Sequence, residues 1–276
     1  MSIEEYYLPK SIEETIGILD DPGQDLLVLA GGTLAMPLIN EGISTPQKVV
    51  GLKNAGLNYI DQVDGELIIG ATTTLTQMES QEDLPILKDA AQAVGGWAIR
   101  NMATVGGNLF APPPGGDFAV ALLALDAKVV IASNGEERTI PINEFFTGFM
   151  TNVLDPGEIV KELRIPLPAG QTSYQKFGRR GANTPSIVTI AVNLRISEET
   201  VEDAKIALGA VGPHPFRAIK AEDSLVGKSL TEKNIQVAGA LAVSESEPFT
   251  DPIASTWYRE KMIPIILSRC LESIQR

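Results

Sequence analysis

The sequence predicts an α+β chain in two parts, on three observations. Capped helical stretches and short apolar runs alternate from residue 11 onward. Two dipeptides with hairpin chemistry, Asp64-Gly65 and Asn134-Gly135, each join a pair of apolar runs. The composition breaks at Pro166-Leu-Pro-Ala-Gly170, which divides residues 1–168 from 169–276. At about 150 residues per domain, a chain of 276 residues has room for two.

Each element has a local reason. Ser11-Ile-Glu-Glu is a capping-box pattern and opens a helix, Ile12 to Leu19. Asp21-Pro-Gly reads as a turn, and the apolar run Leu26 to Ala30 as a compact strand. That strand runs into Gly31-Gly32-Thr33, a helix-like stretch from Leu34 to Asn40, and a further strand, Lys48 to Leu52. The first hairpin joins Asn58–Val63 to Glu66–Ala71. Thr76 to Val94 is mostly helical with a break near Pro85, and Ile99 to Asn108 reads as strand and turn. Ala111-Pro-Pro-Pro-Gly-Gly116 excludes regular structure, because proline supplies no N–H and fixes φ. Asp117 then caps an apolar helix, Phe118 to Leu125. The second hairpin joins Lys128–Ala132 to Arg138–Ile142. Beyond the break come strands Ile187–Ile196 and Ala204–Val211, then helices around Thr231–Ser244 and Ser255–Ser273.

Composition excludes several classes. With 22 Lys and Arg against 35 Asp and Glu, the net charge is −13, so neither nucleic acid nor an anionic membrane surface is the expected main partner. The single cysteine, Cys270, and the single histidine, His214, cannot build a disulfide, an iron–sulfur cluster or a Cys/His zinc site within the chain. The N-terminus lacks the apolar region of a secretory signal, and no run approaches about 18 apolar residues, so no membrane span is expected and a cytoplasmic location is.

Five features remain as candidates for chemistry. Ala30-Gly-Gly-Thr33 is either a tight strand-to-helix turn or a cradle whose backbone N–H groups take a pyrophosphate. It matches neither G-x-G-x-x-G nor a P-loop. Thr104-Val-Gly-Gly-Asn108 repeats the device, and two such loops suggest one extended anionic ligand. Asp117 reads as a helix N-cap or as an acceptor for a ribose or adenine edge. Lys176-Phe-Gly-Arg-Arg180 reads as a solvated basic turn or as a cation beside a ring or phosphate. His214, between Pro213 and Pro215, is held in an extended turn. Cys270, Trp97 and Trp257 are expected to pack.

Taken in order, Ala30-Gly-Gly-Thr33, Ile69-Gly-Ala-Thr-Thr73, Ile99-Arg-Asn-Met-Ala-Thr-Val-Gly-Gly-Asn108, Asp117, Gly157-Glu-Ile-Val160 and Tyr174-Gln-Lys176 resemble the FAD-binding medium subunit of molybdenum hydroxylases. That group includes the xanthine, carbon monoxide and nicotinate dehydrogenase types. The resemblance implies a two-part α/β FAD-binding domain of the vanillyl-alcohol-oxidase-like (PCMH) type, divided near residue 55, followed by a C-terminal domain of sheet plus helices. It implies FAD, which the scarcity of histidine makes noncovalent, with Leu29, Ala30, Gly31, Gly32, Thr33 and Leu34 around its pyrophosphate and Thr104, Gly106, Gly107 and Asn108 completing the cradle. Asp117 would hold the adenosine ribose side, and Ile69 and Ala71 would line the cleft. Ile159 would touch the flavin half, and Lys176 would sit near the isoalloxazine or ribityl chain.

The implied activity is electron transfer. A large subunit carries a molybdenum cofactor, a small subunit carries two [2Fe-2S] clusters, and electrons reach FAD here and leave to NAD+, a quinone or oxygen. No side chain of this chain is expected to be catalytic and none to bind a metal. Met102 and the run Thr147–Val153 depart from the family pattern. The rival readings are a stand-alone FAD-dependent oxidoreductase of the same fold and a scaffold in which the glycine loops are plain turns.

Overall fold

The computed structural model describes residues 3–20, 25–82 and 84–275. The turn expected at Asp21-Pro-Gly lies outside them. The chain is mixed helix and sheet, in keeping with the α+β reading. Strands β1 (Glu5–Tyr7), β2 (Leu26–Leu29) and β3 (Lys48–Gly51) form a small parallel sheet in the order β1-β3-β2. Helices α1 (Ile12–Leu19) and α2 (Ala35–Asn40) make its crossovers. Ser11 caps α1 by accepting from the Glu14 N–H.

The second sheet is antiparallel, with β4 (Ile60–Val63), β5 (Glu66–Gly70), β6 (Lys128–Ser133), β7 (Glu136–Pro141) and β10 (Ile159–Pro166) in the order β4-β5-β10-β6-β7. Asp64 and Gly65 both take positive φ, as the tight turn between β4 and β5 requires. Strand β10 is central, yet sequence reading gave it only as a motif. Its charged Lys161, Glu162 and Arg164 hide it: Glu162 is buried there, accepting from the Tyr59 hydroxyl at 2.5 Å and from Arg164 Nε at 2.8 Å. Burial and that bond push the Tyr59 phenol up. A small hairpin, β8 (Phe146–Gly148) and β9 (Thr151–Asn152), stands beside this sheet.

Between the hairpins run α3 (Leu75–Met78), α4 (Pro85–Ala93), α5 (Trp97–Arg100), α6 (Val105–Asn108) and α7 (Asp117–Ala124). Pro85 begins α4 instead of breaking a longer helix. Ile99 to Asn108, expected as strand and turn, instead falls in two single-turn helices, and an isolated bridge ties Thr104, at the start of the second, to Thr74 at the start of α3. Every residue of α7 is buried, which suits a helix apolar on all sides. It is packed against β12 (Ser186–Ser197) and β13 (Thr200–Gly209) and against α4.

The C-terminal sheet runs β11-β12-β13-β14, with β11 at Gln171–Gly178 and β14 at Phe216–Arg217. The β12–β13 hairpin turns at Glu198 and Glu199, both at positive φ, so the usual Gly signal is missing from its sequence. Helices α8 (Ile219–Leu225), α9 (Glu232–Glu245) and α10 (Thr256–Ile274) cover the other face, and Cys270 packs in that core as expected. Its burial pushes the thiol up to about 12. Trp97 and Trp257, expected to pack, are 69% and 64% exposed: α5 buries none of its residues, and Trp257 lies on the face of α10 away from the buried Arg259, Met262 and Ile263. Among the described residues no helix is long and apolar enough to cross a membrane.

Arg259 of α10 is wholly buried. Its Nη1 donates to the carbonyls of Ser186 (3.1 Å), Ile187 (2.7 Å) and Ala210 (2.9 Å), and its Nε to that of Phe249 (3.1 Å). Its Nη2 lies 2.8 Å from the Asp251 carboxylate. Arg259→Met strands these acceptors and should cost about 3–5 kcal/mol. Arg259→Lys should recover little, since one ammonium cannot reproduce the planar fork. Urea unfolding midpoints check this; a midpoint unchanged in Arg259→Met would show the arginine to be dispensable.

Candidate functional site

The site begins where β2 ends. Beyond Leu29 the chain turns through Gly31 and Gly32, and Gly32 adopts φ +71°, in the left-handed region. Gly31 is required for a different reason. A Cβ on it would lie 1.8 Å from the Met102 carbonyl oxygen, so the backbone of the second loop rests directly on the first. No side chain fits at that contact.

The second loop hangs from the end of β5. Gly106 N–H donates to the Ala71 carbonyl at 3.0 Å and Val105 N–H to the Thr73 carbonyl at 2.9 Å. A Cβ on Gly106 would come within 2.8 Å of Ala71. Thr104 caps the turn by accepting from Gly107 N–H at 3.0 Å. Asn108 Oδ1 reaches forward and accepts from the N–H groups of Phe118 (3.1 Å) and Ala119 (3.3 Å). The cap of α7 is therefore Asn108, not Asp117; Gly116, at φ +79°, occupies the N-cap position. Asn108's role was missed because its partners are ten residues away.

Asp117 instead faces the C-terminal sheet. Its Oδ1 accepts from the Ser186 hydroxyl at 2.5 Å and the Thr189 hydroxyl at 2.7 Å. Its Oδ2 pairs with Lys176 Nζ at 2.8 Å. Lys176 also donates to the Ala93 carbonyl at 2.8 Å, so it is a half-buried strand residue and not part of a solvated turn. Arg179 and Arg180, which follow it, are exposed.

Together these elements enclose a cleft of about 530 Å³, within the usual range for a small-molecule site. It is lined by both glycine loops, by Ala71, by the start of α7 and by Leu154 and Glu158–Val160. All of the residues implied by resemblance lie in this lining except Ile69 and Lys176. Ile69 pairs with Ile60 and Leu163 in mid-sheet and is fully buried. Lys176 approaches Asp117 from outside the cleft, along a separate groove.

The lining contains no Lys, Arg or His among the described residues, and its charged side chains are Asp117 and Glu158. Each carboxylate is neutralised by a cation that is not in the lining. Lys176 does this for Asp117, and Arg138 holds Glu158 with Nε at 2.8 Å and Nη2 at 2.6 Å. Glu158, inside the Gly157-Glu-Ile-Val160 motif, was not singled out from sequence, although the motif marked its position. Phe110, next to Asn108, also lines the cleft and was not foreseen. The N–H groups of Gly31, Gly32, Thr33 and Leu34 make no hydrogen bond among the described residues. Four consecutive free donors in a wall without cations suit a ligand with phosphate groups. The residues therefore fit FAD: unpaired N–H groups for a pyrophosphate, glycines that keep side chains away, and apolar walls for rings.

Comparison with known proteins agrees with that geometry. A family model described as the FAD binding domain in molybdopterin dehydrogenase matches residues 1–168, and one described as the CO dehydrogenase flavoprotein C-terminal domain matches residues 172–274. The chain belongs to the family of FAD-binding medium subunits of molybdenum hydroxylases, which are oxidoreductase subunits. It is 26% identical to the glyceraldehyde dehydrogenase medium chain of Sulfolobus acidocaldarius, over 98% of this chain and 97% of that one. It is 29% identical to the carbon monoxide dehydrogenase medium chain of Hydrogenophaga pseudoflava, over 98% and 96%. A solved structure of carbon monoxide dehydrogenase from Hydrogenophaga pseudoflava, lacking the Mo-pyranopterin moiety, superposes with a TM-score of 0.95 at 29% identity, covering 99% of this chain and 98% of that one.

The Glu158 pair gives a pH test. Hydrogen bonds from Arg138 hold the Glu158 carboxyl below its ordinary 4.5, partly opposed by desolvation. A depressed carboxyl contributes stability that is complete above the unfolded value and is lost as pH falls through the folded one. Glu158→Gln should be less stable than the parent by about 1 kcal/mol at neutral pH, since Arg138 is partly solvated. That gap should close below pH 4.5. Urea unfolding across a pH series reads it, and a gap constant with pH would refute the assignment.

Proposed function

We propose that this chain holds FAD noncovalently in the cleft and relays electrons through it. They arrive from the [2Fe-2S] clusters of a small partner subunit and leave to NAD+, a quinone or another acceptor. A large partner subunit carries the molybdenum cofactor and performs the substrate oxidation. The observation that carries this reading is the cleft wall of free backbone N–H groups, closed by the glycine contact between Gly31 and Met102. When bound, FAD supplies the redox chemistry; the protein binds and orients it and tunes its surroundings.

On this reading Leu29 to Leu34 take the pyrophosphate, and Thr104, Gly106, Gly107 and Asn108 shape the opposite wall. Ala71 and Ile159 flank the rings. Asp117 has one lone-pair position left after its three bonds, enough for one ribose hydroxyl. Ile69 and Lys176 act from behind the wall: Ile69 sets the end of β5, and Lys176 neutralises Asp117.

A stand-alone oxidoreductase of the same fold needs a proton donor or base beside the flavin. The cleft offers no His, Lys, Tyr or Cys among the described residues, and both of its carboxylates are engaged by cations. Electron transfer needs no such group. His214 lies outside the lining, so histidyl attachment of the flavin is not built here. With the clusters and the molybdenum cofactor assigned to partners, we place the assembly in the cytoplasm.

Acid precipitation of the purified chain, followed by chromatography of the supernatant, should release close to one FAD per chain. Gly31→Ala should retain less than about a tenth of that, a loss of at least 1.4 kcal/mol in affinity, with an unchanged far-ultraviolet spectrum. Release of FMN, or flavin kept in the pellet, would overturn the cofactor or its mode of attachment.

A further inference from the structure

Among the described residues, α2 and α5 are the two α-helices that bury none of their side chains. Their stretches are apolar all the same. Met36, Leu38 and Ile43, in and after α2, are exposed, and so are Trp97, Ile99 and Met102, in and after α5. The two groups meet where Gly31 rests on the Met102 carbonyl. Leu38 and Ile99 also line the cleft, so this apolar face is continuous with the cleft rim. A ligand in the cleft does not cover the rest, because Met36, Ile43, Trp97 and Met102 stand outside the lining. We propose that the face docks the small [2Fe-2S] subunit. The proposal rests on the reading of the cleft as an FAD site, and it names the surface through which electrons enter.

Charge selects the chemistry of the partner. The chain is 21% charged, yet Glu41 is the one charged residue between Ala30 and Gln47, and Arg100 the one between Ala90 and Leu109. Arg100 is already paired with Glu79. Interface cores are depleted in charge and enriched in Trp, Met and Arg, which is the composition found here. The arginines stand at one edge. A Cβ on Gly96, the N-cap of α5, would lie 3.9 Å from the Asn183 side chain, and Arg180 Nη2 donates to the Asn183 carbonyl at 2.9 Å. Arg179 and Arg180 are exposed and have no carboxylate partner among the described residues. Asp89, in the same groove, pairs with neither. On a surface of net charge −13, this edge attracts a carboxylate-bearing partner where most of the chain repels one.

Location selects which partner. A face that includes the cleft rim brings its occupant next to the bound cofactor. The molybdenum centre of the large subunit passes its electrons through the clusters, so the chain that has to reach the rim is the small subunit. A second copy of this chain would set −13 against −13 and bring no electron donor.

Hydroxyl-radical footprinting of the full FAD-loaded chain, alone and with the purified small subunit, reads Trp and Met side chains directly. Trp97 and Met102 should be protected, and Trp257, on α10, should not change. Trp97→Ala should weaken binding of the small subunit about tenfold at every salt concentration. Arg179→Glu with Arg180→Glu should weaken it about tenfold at low salt, with a gap that narrows as salt screens the charges. FAD content, measured by acid extraction, should be unchanged in both variants, because none of the three residues lines the cleft. Variants that bind as tightly as the parent overturn the proposal, as does protection of Trp257 with Trp97 still reactive. An FAD-loaded chain whose Trp97 stays reactive overturns the docking face and leaves the FAD site standing. Protection of Trp97 in a chain without FAD supports the face and counts against the reading of the cleft.

Discussion

The carboxylate of Asp117 joins the two halves of the molecule. It belongs to the first turn of α7, a helix buried on every side between two sheets, and it is bonded to Ser186, Thr189 and Lys176 of the C-terminal sheet. Ser186 is in turn held through its carbonyl by the wholly buried Arg259. On the other side, Asn108 caps α7 from within the second glycine loop. A continuous polar line therefore runs from α10, through the C-terminal sheet and α7, to the wall of the cleft. In a low-dielectric interior each of these groups needs its partners, so the loop has little freedom to settle elsewhere.

The same arrangement resolves an electrostatic problem. A chain with net charge −13 has to receive an anionic cofactor in a cleft that itself contains two carboxylates. Lys176 and Arg138 neutralise those carboxylates from outside the lining, and the free N–H groups of the first loop supply partial positive charge without a mobile side chain. The glycine contact then matters for shape. Because Gly31 lies against the Met102 carbonyl, the first loop presents backbone to the cleft and not side chain.

Local chemistry was legible where the partner was close in sequence. Ser11 and Glu14 mark a helix start, Asp64-Gly65 marks a hairpin, and the two glycine pairs mark the loops that meet at the cleft. It failed where the partner was remote. Strand β10 carries charges that read as surface until Tyr59 is brought to Glu162 across the sheet. Asp117 resembles an N-cap until the C-terminal sheet takes its carboxylate, and Lys176 resembles a solvated residue until Asp117 is placed beside it. The Glu198-Glu199 turn lacks a glycine because the long β12–β13 pairing imposes the strained backbone.

The sequence by itself determined the α+β class, the hairpins, the capped helices, the two glycine loops and the exclusion of metal clusters built from cysteine. Each follows from residue type and spacing within a few positions. The tertiary structure alone decided that the two loops interlock, that Asn108 caps α7, that the cations stand outside the cleft lining, and that His214 lies outside it too. Those facts depend on contacts between residues far apart in the chain. Such contacts are set by how the sheets and α7 pack, and local spacing carries no record of them.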